Sequence, residues 1–268
     1  MCIRDRVSAG NAIAAFGFGW LPVPVQAMLA KELKLAWRVP QRRIGLLQSV
    51  LAPFALIIAI FLGEMDALSR LPEWTAAGLP AIVLFAAWGL SSNMLGMESR
   101  GLATLLLTPA PRWQLLLGKG LAYALMALIP TALYAALLAV IARSPLIVFG
   151  LLAGVSTALV VIAVNMVAAV YYPYPFDENR TTRQRSGGSL ATGIVQIVVV
   201  PLAMAIATAP ATLPMLLGVW WKLPLLTAIG TLAGLVYAGV LFAGIAHYAG
   251  QKLTLREAEV LAAASLVK

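Results

Sequence analysis

Charge is what this sequence has least of. Only 11% of its 268 residues are charged and 62% are hydrophobic, whereas about a quarter of residues are charged in a soluble globular domain. A soluble globule is excluded, and the chain reads as a polytopic membrane protein. Cysteine is limited to Cys2 and histidine to His247, which excludes a disulfide framework and a cysteine-ligated metal site. Acids are scarce, 10 Asp and Glu against 19 Lys and Arg, and no charged residue falls in the middle of a long apolar run. A proton- or ion-coupled pump therefore has no evident carrier, since such residues inside a membrane mark ion paths and relays. A membrane-embedded enzyme would need clustered acids or histidines in the spans. The net charge of +9 would suit nucleic acid in a soluble protein; in a membrane protein its placement in loops reports topology, and no nucleic-acid partner is expected. The phosphate-cradling pattern G-x-x-x-x-G-K-[ST] is missing too: Gly118 and Lys119 are followed by Gly120, and Trp113 stands where the first glycine would be.

What is present is a series of charge-free runs at 44–63, 74–97, 120–142, 144–176, 186–221 and 223–251. A span needs about 20 apolar residues, so each run is predicted to hold one helix. The fold expected over residues 25–268 is all-α, with six transmembrane helices. The 186–221 run is too long for one helix and too short for two. It is read as a span at 190–209 followed by a short apolar piece, TLPMLLGVWW, bounded by Pro210, Pro214 and Pro224 and lying at or re-entering the outer surface. Trp220 and Trp221 fit an aromatic belt there.

Ahead of the spans, residues 25–43 place Val25, Leu29, Leu33 and Trp37 on one helical face and Lys31, Lys34 and Arg38 on another. That is the pattern of a helix lying in the membrane interface; Pro40 ends it, and Arg42 and Arg43 anchor it on lipid headgroups. Residues 1–24 are an apolar stretch and linker, read as the remnant of an upstream span. The alternative is a signal peptide with Arg4 and Arg6 ahead of the apolar stretch, which would leave the following basic residues outside.

Orientation follows from the loops. Lys31, Lys34, Arg38, Arg42 and Arg43 precede span one; Arg100, Arg112 and Lys119 lie between spans two and three; Arg180, Arg183 and Arg185 lie between spans four and five; Lys252, Arg256 and Lys268 are in the tail. The opposite loops hold only Arg70, Arg143 and Lys222. The bias places both termini, and the loop between spans two and three, in the cytoplasm. Neutral polar residues in the spans, Gln48, Asn93, Asn165 and Gln196, suit interhelical hydrogen bonds, with substrate contact as the alternative. The pairs Gly150/Gly154 and Gly230/Gly234 would let helices pack closely, and His247 sits near the inner end of span six. The tail is predicted to form a short amphipathic helix with Glu257 and Glu259 toward water. The loop YYPYPFDENRTTRQRSGGS is read either as a second cytoplasmic contact or as plain surface.

The chain is organised around residues 93–119, NMLGMESRGLATLLLTPAPRWQLLLGK. Gly96, Glu98 and Gly101 form G-x-E-x-x-G, Leu102, Leu105 and Leu106 give a short helix one oily side, and Pro109 and Pro111 stop it. Two readings stand. The leucines face a protein partner inside a charged rim, with Gly101 permitting close backbone approach; or Glu98 and Arg100 are solvated loop charges and the leucines lie on lipid.

The pattern N-x-x-G-x-E-x-x-G-x-x-x-L-L-L-T-P-x-x-R-x-x-L-L-x-G-K over Asn93 to Lys119, with a basic KEL...R-x-P segment from Lys31 to Pro40, resembles the type-2 ATP-binding-cassette (ABC) exporter permeases. The resemblance covers nearly all of residues 25–268. It implies an alternating-access permease of the bacterial plasma (inner) membrane that is not itself an enzyme. ATP and Mg would be held by a separate ABC ATPase subunit. Residues 97–109 would be the coupling helix seated in a cleft of that subunit, with Glu98, Arg100, Gly101, Leu102, Leu105, Pro109 and Arg112 at the contact. Lys31, Lys34, Trp37, Arg38, Arg42, Arg43 and Lys119 would anchor the elbow helix and the membrane edge in the lipid bilayer. Some relatives carry two such halves, and a chain that opens inside an apolar run before its elbow helix looks like the second half of a longer permease; otherwise two copies would pair. A membrane scaffold or sensor that moves nothing is the alternative from a different class.

Overall fold

The computed structural model describes residues 20–40, 42–49, 51, 78–98, 101–142, 144–173 and 193–265. All regular structure among them is helical. In chain order it comprises α1 (Val23–Arg38), α2 (Leu79–Ser91), a 3₁₀ turn (Gly96–Glu98), α3 (Gly101–Leu106), α4 (Arg112–Ala142) and α5 (Leu146–Tyr171). A π-helical turn (Val195–Val199) then leads into α6 (Val200–Trp220), and α7 (Pro224–Leu255) and α8 (Glu257–Ser265) close the series. Proline stands in the first turn of α1, α2 and α7, where its missing N–H costs no intrahelical bond.

Four of these helices are long and apolar enough to cross a membrane: α4 over Arg112–Leu137, α5, the continuous Val195–Trp220, and α7. They correspond to the predicted third to sixth spans. The first predicted span lies outside the described residues beyond Leu51, and the second is described only from Gly78, its helix ending at Ser91. The loop read as a second contact, from residue 174 onward, also lies outside them.

One expectation is overturned. No break separates a span at 190–209 from a surface piece, because α6 runs without interruption through Pro210 and Pro214 to Trp220. Each proline removes one backbone donor, the one that would have met the carbonyl of Ile206 or of Pro210 four residues back. Thr208 and Thr212 turn their hydroxyls back onto the carbonyls of Met204 and Thr208, at 2.8 and 3.1 Å. In addition, α7 backs the same stretch closely. A Cβ on Gly230 would lie 2.7 Å from the Pro214 carbonyl carbon, and one on Gly234 only 2.1 Å from the Ala211 carbonyl oxygen. This pair of small residues brings two backbones into contact, as such pairs do in membranes. A neighbour at that range makes a proline-containing span tolerable.

The remaining helices layer onto this pair. α7 also packs on α5, α5 packs on α2 and α4, and α1 lies along the first half of α4. Asn165 of α5 donates to Ser91 Oγ of α2 at 2.7 Å, and Ser91 donates to the Ala87 carbonyl at 2.6 Å. This is the interhelical bond that the buried asparagine suggested. Trp220 and Trp221 stand exposed where α6 ends.

Replacing Gly234 by leucine is expected to force α6 and α7 apart, costing at least the ~1–3 kcal/mol of an overpacked core. Leucine at Gly239, where nothing lies within 4 Å of the added Cβ, should cost little. Thermal unfolding in detergent, followed by circular dichroism, compares the two; equal melting temperatures would contradict the close contact.

Candidate functional site

At the end of the bundle where α4 begins, five charged side chains form one chain of ion pairs. Arg42 reaches Glu32 at 2.6 Å, Lys119 reaches Glu32 at 2.7 Å and also grips Glu98, and Lys31 reaches Glu98 at 2.6 Å. Arg42 adds a bond to the Met97 carbonyl at 3.2 Å, and the Lys119 ammonium lies 6.0 Å from the centre of the Tyr123 ring. The inner members are cut off from solvent, with side-chain exposures of 0% for Glu32, 1% for Lys119 and 3% for Glu98; Lys31, at 37%, is the half-exposed end. Three cations against two carboxylates leave the cluster with a net charge of +1.

The local sequence explains how these groups meet. Of the buried residues of α1, Val25, Met28, Leu29, Glu32 and Ala36 form a stripe at helical spacing, with Ala30 beside it. Glu32 therefore points at α4 together with the apolar residues. Gly118 lets α1 come close enough: a Cβ there would lie 2.5 Å from the Val25 carbonyl oxygen. Lys119, the next residue, then reaches both carboxylates. Glu98 arrives from the 3₁₀ turn that follows α2. Burial alone would raise its carboxyl pKa, but Lys119 and Lys31 outweigh burial and hold it well below the usual carboxylate range.

The short helix α3 starts three residues after Glu98 and ends at Leu106, ahead of Pro109 and Pro111. Leu102 and Leu106 are buried in the main core, and Leu105 packs partly against it. Arg112 closes its far end, donating to the carbonyls of Leu106 at 2.5 Å, Thr108 at 3.0 Å and Ala110 at 3.3 Å, while its Nε donates to Glu257 of α8. A guanidinium at a helix C-terminus satisfies orphan carbonyls with the sign of charge that the helix dipole favours. The outer side, Gly101, Ala103, Thr104, Leu107, Thr108 and Pro109, is exposed.

Several sequence-predicted residues lie elsewhere than expected. Lys119, expected as an anchor at the membrane edge, and Arg42, expected on headgroups, both turn inward to Glu32. Trp37 does not share the buried face of α1; it is 71% exposed, with Arg43 5.9 Å from its ring centre, and Lys34 and Arg38 are exposed beside it. Glu98 and Leu102 are buried rather than presented outward, whereas Gly101 is exposed, an added Cβ there meeting only the Glu98 side chain at 3.5 Å within the chain. Arg100 lies outside the described residues. Glu257, expected in water, pairs with Arg112, whereas Glu259 is exposed and paired with Arg256. His247 is exposed, 3.0 Å from Gln251, its ring centre 6.0 Å from that of Trp113. Glu32 was overlooked. The available signal was its being the lone acid within the most basic stretch of an acid-poor chain.

Lys119→Met should cost about 3–5 kcal/mol, because removing one partner leaves buried charge uncompensated. Lys31→Met, at the half-exposed end, should cost about 1 kcal/mol or less. Chemical unfolding in mixed micelles measures both, and equal costs would contradict the burial gradient. The depressed Glu98 carboxyl also fixes a pH dependence. Its stabilisation is fully present above the unfolded glutamate value of about 4.3 and is lost as pH falls toward and through the lower folded value. Melting temperature should therefore fall with acidification below about pH 4, and this part of the fall should be absent in Glu98→Gln.

Comparison with known proteins places this architecture in one family. Residues 22–243 match a family described as "Membrane protein of 12 TMs". No curated protein and no solved structure matches the chain. The matched region runs from the start of α1 through the ion-pair chain and the short helix to the middle of α7, so the chain belongs to this family of twelve-span membrane proteins.

Proposed function

We propose that this protein is the membrane-spanning permease part of an ABC exporter of the type-2 class, driven by an ATPase subunit that binds ATP and Mg. The observation that carries the reading is the mounting of α3. A six-residue helix is too short to hold itself, yet this one is fixed at both ends, by Glu98 in the ion-pair chain and by Arg112 on its last carbonyls. Leu107, 83% exposed, and Ala103, Thr104 and Thr108 stand on its outer side. A rigidly held element with a free outer face is what a force-transmitting contact needs, whereas a plain surface loop needs neither clamp. The partner contact is accordingly assigned to this outer face, with Glu98 and Leu102 supporting it from behind.

In this reading, closure of the ATPase pushes α3; α4, joined to it through Arg112, moves with it, and the spans alternate between inward and outward access. Both termini lie in the cytoplasm of a bacterium, on the side of the Lys- and Arg-rich loops. α1 serves as the elbow helix, with Trp37, Lys34, Arg38 and Arg43 at the lipid interface. The six spans expected from the sequence would be half of the twelve that describe the family, which supports a pore completed by a second six-span half, in the same polypeptide or as a second copy.

Co-purification tests the reading. The protein is expressed with ABC ATPase subunits encoded beside it, and retention is compared for the parent, Thr104→Arg and Leu107→Glu. Retention by the parent, lost in both variants with unchanged melting temperature, is the expected result. Equal retention in the variants would remove the contact from α3, and no retention by the parent would favour a scaffold or sensor.

A further inference from the structure

The C-terminal helix α8 carries Glu257, the partner of Arg112. We infer that α8 is a strap that gears the short helix α3 to span α7, so that motion of α3 reaches two spans, α4 directly and α7 through α8; this rests on α3 being the coupling element.

Three contacts define the strap. The first is Arg112, whose Nε donates to Glu257 while its other nitrogens hold the carbonyls of Leu106, Thr108 and Ala110. Glu257 lies in the first turn of α8, and the guanidinium of Arg112, the first residue of α4, caps the end of α3. The pair thus joins a helix C-terminus to a helix N-terminus, each carrying the sign of charge its dipole prefers. The second contact is apolar. Val260 of α8, 1% exposed, belongs to the same buried cluster as Leu102 and Leu106 of α3, and the two helices pack together. The third is the joint. Arg256 alone separates α7 from α8, its N–H donating to the carbonyls of Lys252 and Leu253, both at 3.1 Å, and its carbonyl accepting from Val260 N–H at 2.9 Å. Its side chain is held as well, by Glu259 at 2.7 Å and over the Tyr171 ring at 4.9 Å. A one-residue joint bonded on both sides has little freedom to swivel. Meanwhile α7 itself presses on the start of α4, where a Cβ on Gly250 would lie 2.5 Å from Trp113 Cα. The first turn of α8, the first of α4 and the last of α3 therefore meet around one guanidinium, with the end of α7 packed against the neighbouring residue Trp113.

The test uses a spin label at the exposed residue directly after α3, in Cys2→Ser protein carrying Leu107→Cys, reconstituted in lipid nanodiscs. A second label at Val236→Cys, 67% exposed on α7, reports the span. Glu257→Arg is expected to shift the Leu107 label from an immobile to a mobile line shape and to leave the Val236 label unchanged. Glu257→Asp, which keeps the carboxylate, should keep the immobile line shape. An unchanged Leu107 label in Glu257→Arg would overturn the strap. So would mobilisation of both labels together, which would make α8 a general part of the fold rather than a holder of α3. ATPase retention is scored separately on the same proteins: an unlabelled parent that retains no ATPase sinks the coupling reading, while the labels still decide whether α8 holds α3.

Discussion

A carboxylate that has lost its water must be given cations, and two such carboxylates sit side by side in this fold. Glu32 and Glu98 are almost wholly buried, and the cost of leaving either unpaired exceeds that of most single packing defects. The surrounding elements are constrained accordingly. α1 must turn its Glu32 stripe toward α4, a glycine must precede Lys119 so that the helices can touch, and the turn after α2 must deliver Glu98 to the same ammonium. Three segments far apart in sequence are thereby locked in register by a group of five charges. Hydrophobic contact alone could not do this, because Leu and Val pack acceptably in many registers, whereas an ion pair at 2.7 Å has one.

The four spans seen among the described residues were legible in the sequence because a membrane requires long apolar helices, and composition along the chain reports that directly. Asn165 was legible for the related reason that a buried amide must find a partner on a neighbouring helix. The short helix was legible from its leucines and its two prolines, but its orientation was not. The spacing of Leu102 and Leu106 marks a buried side without saying whether protein, lipid or partner covers it; here the chain's own core does. The charges were the least legible. A lysine at the mouth of a span reads as a headgroup anchor, and nothing near Lys119 in sequence announces Glu32, 87 positions away. The continuity of α6 was missed for a tertiary reason too, since two prolines break a helix unless a neighbour supports it, and the support comes from glycines on α7.

The short helix gains its character from what holds it. Six residues have no stability of their own, so its angle is set by the ion pairs at either end and by the core beneath it. Such an element cannot bend independently of its mounts. Its position is therefore fixed relative to α1, α4 and α8 through Glu98 and Arg112.

The meeting of α6 and α7 carries a consequence of a different kind. With Gly230 and Gly234 seated against the backbone at Pro214 and Ala211, a slip of one helix along the other by a single turn would bring Thr227 and Thr231, or Ala238, onto those same points, where even a Cβ has no room. The two helices are therefore indexed like meshed teeth and can only travel as one slab. Where the bundle parts, it must part along some other seam.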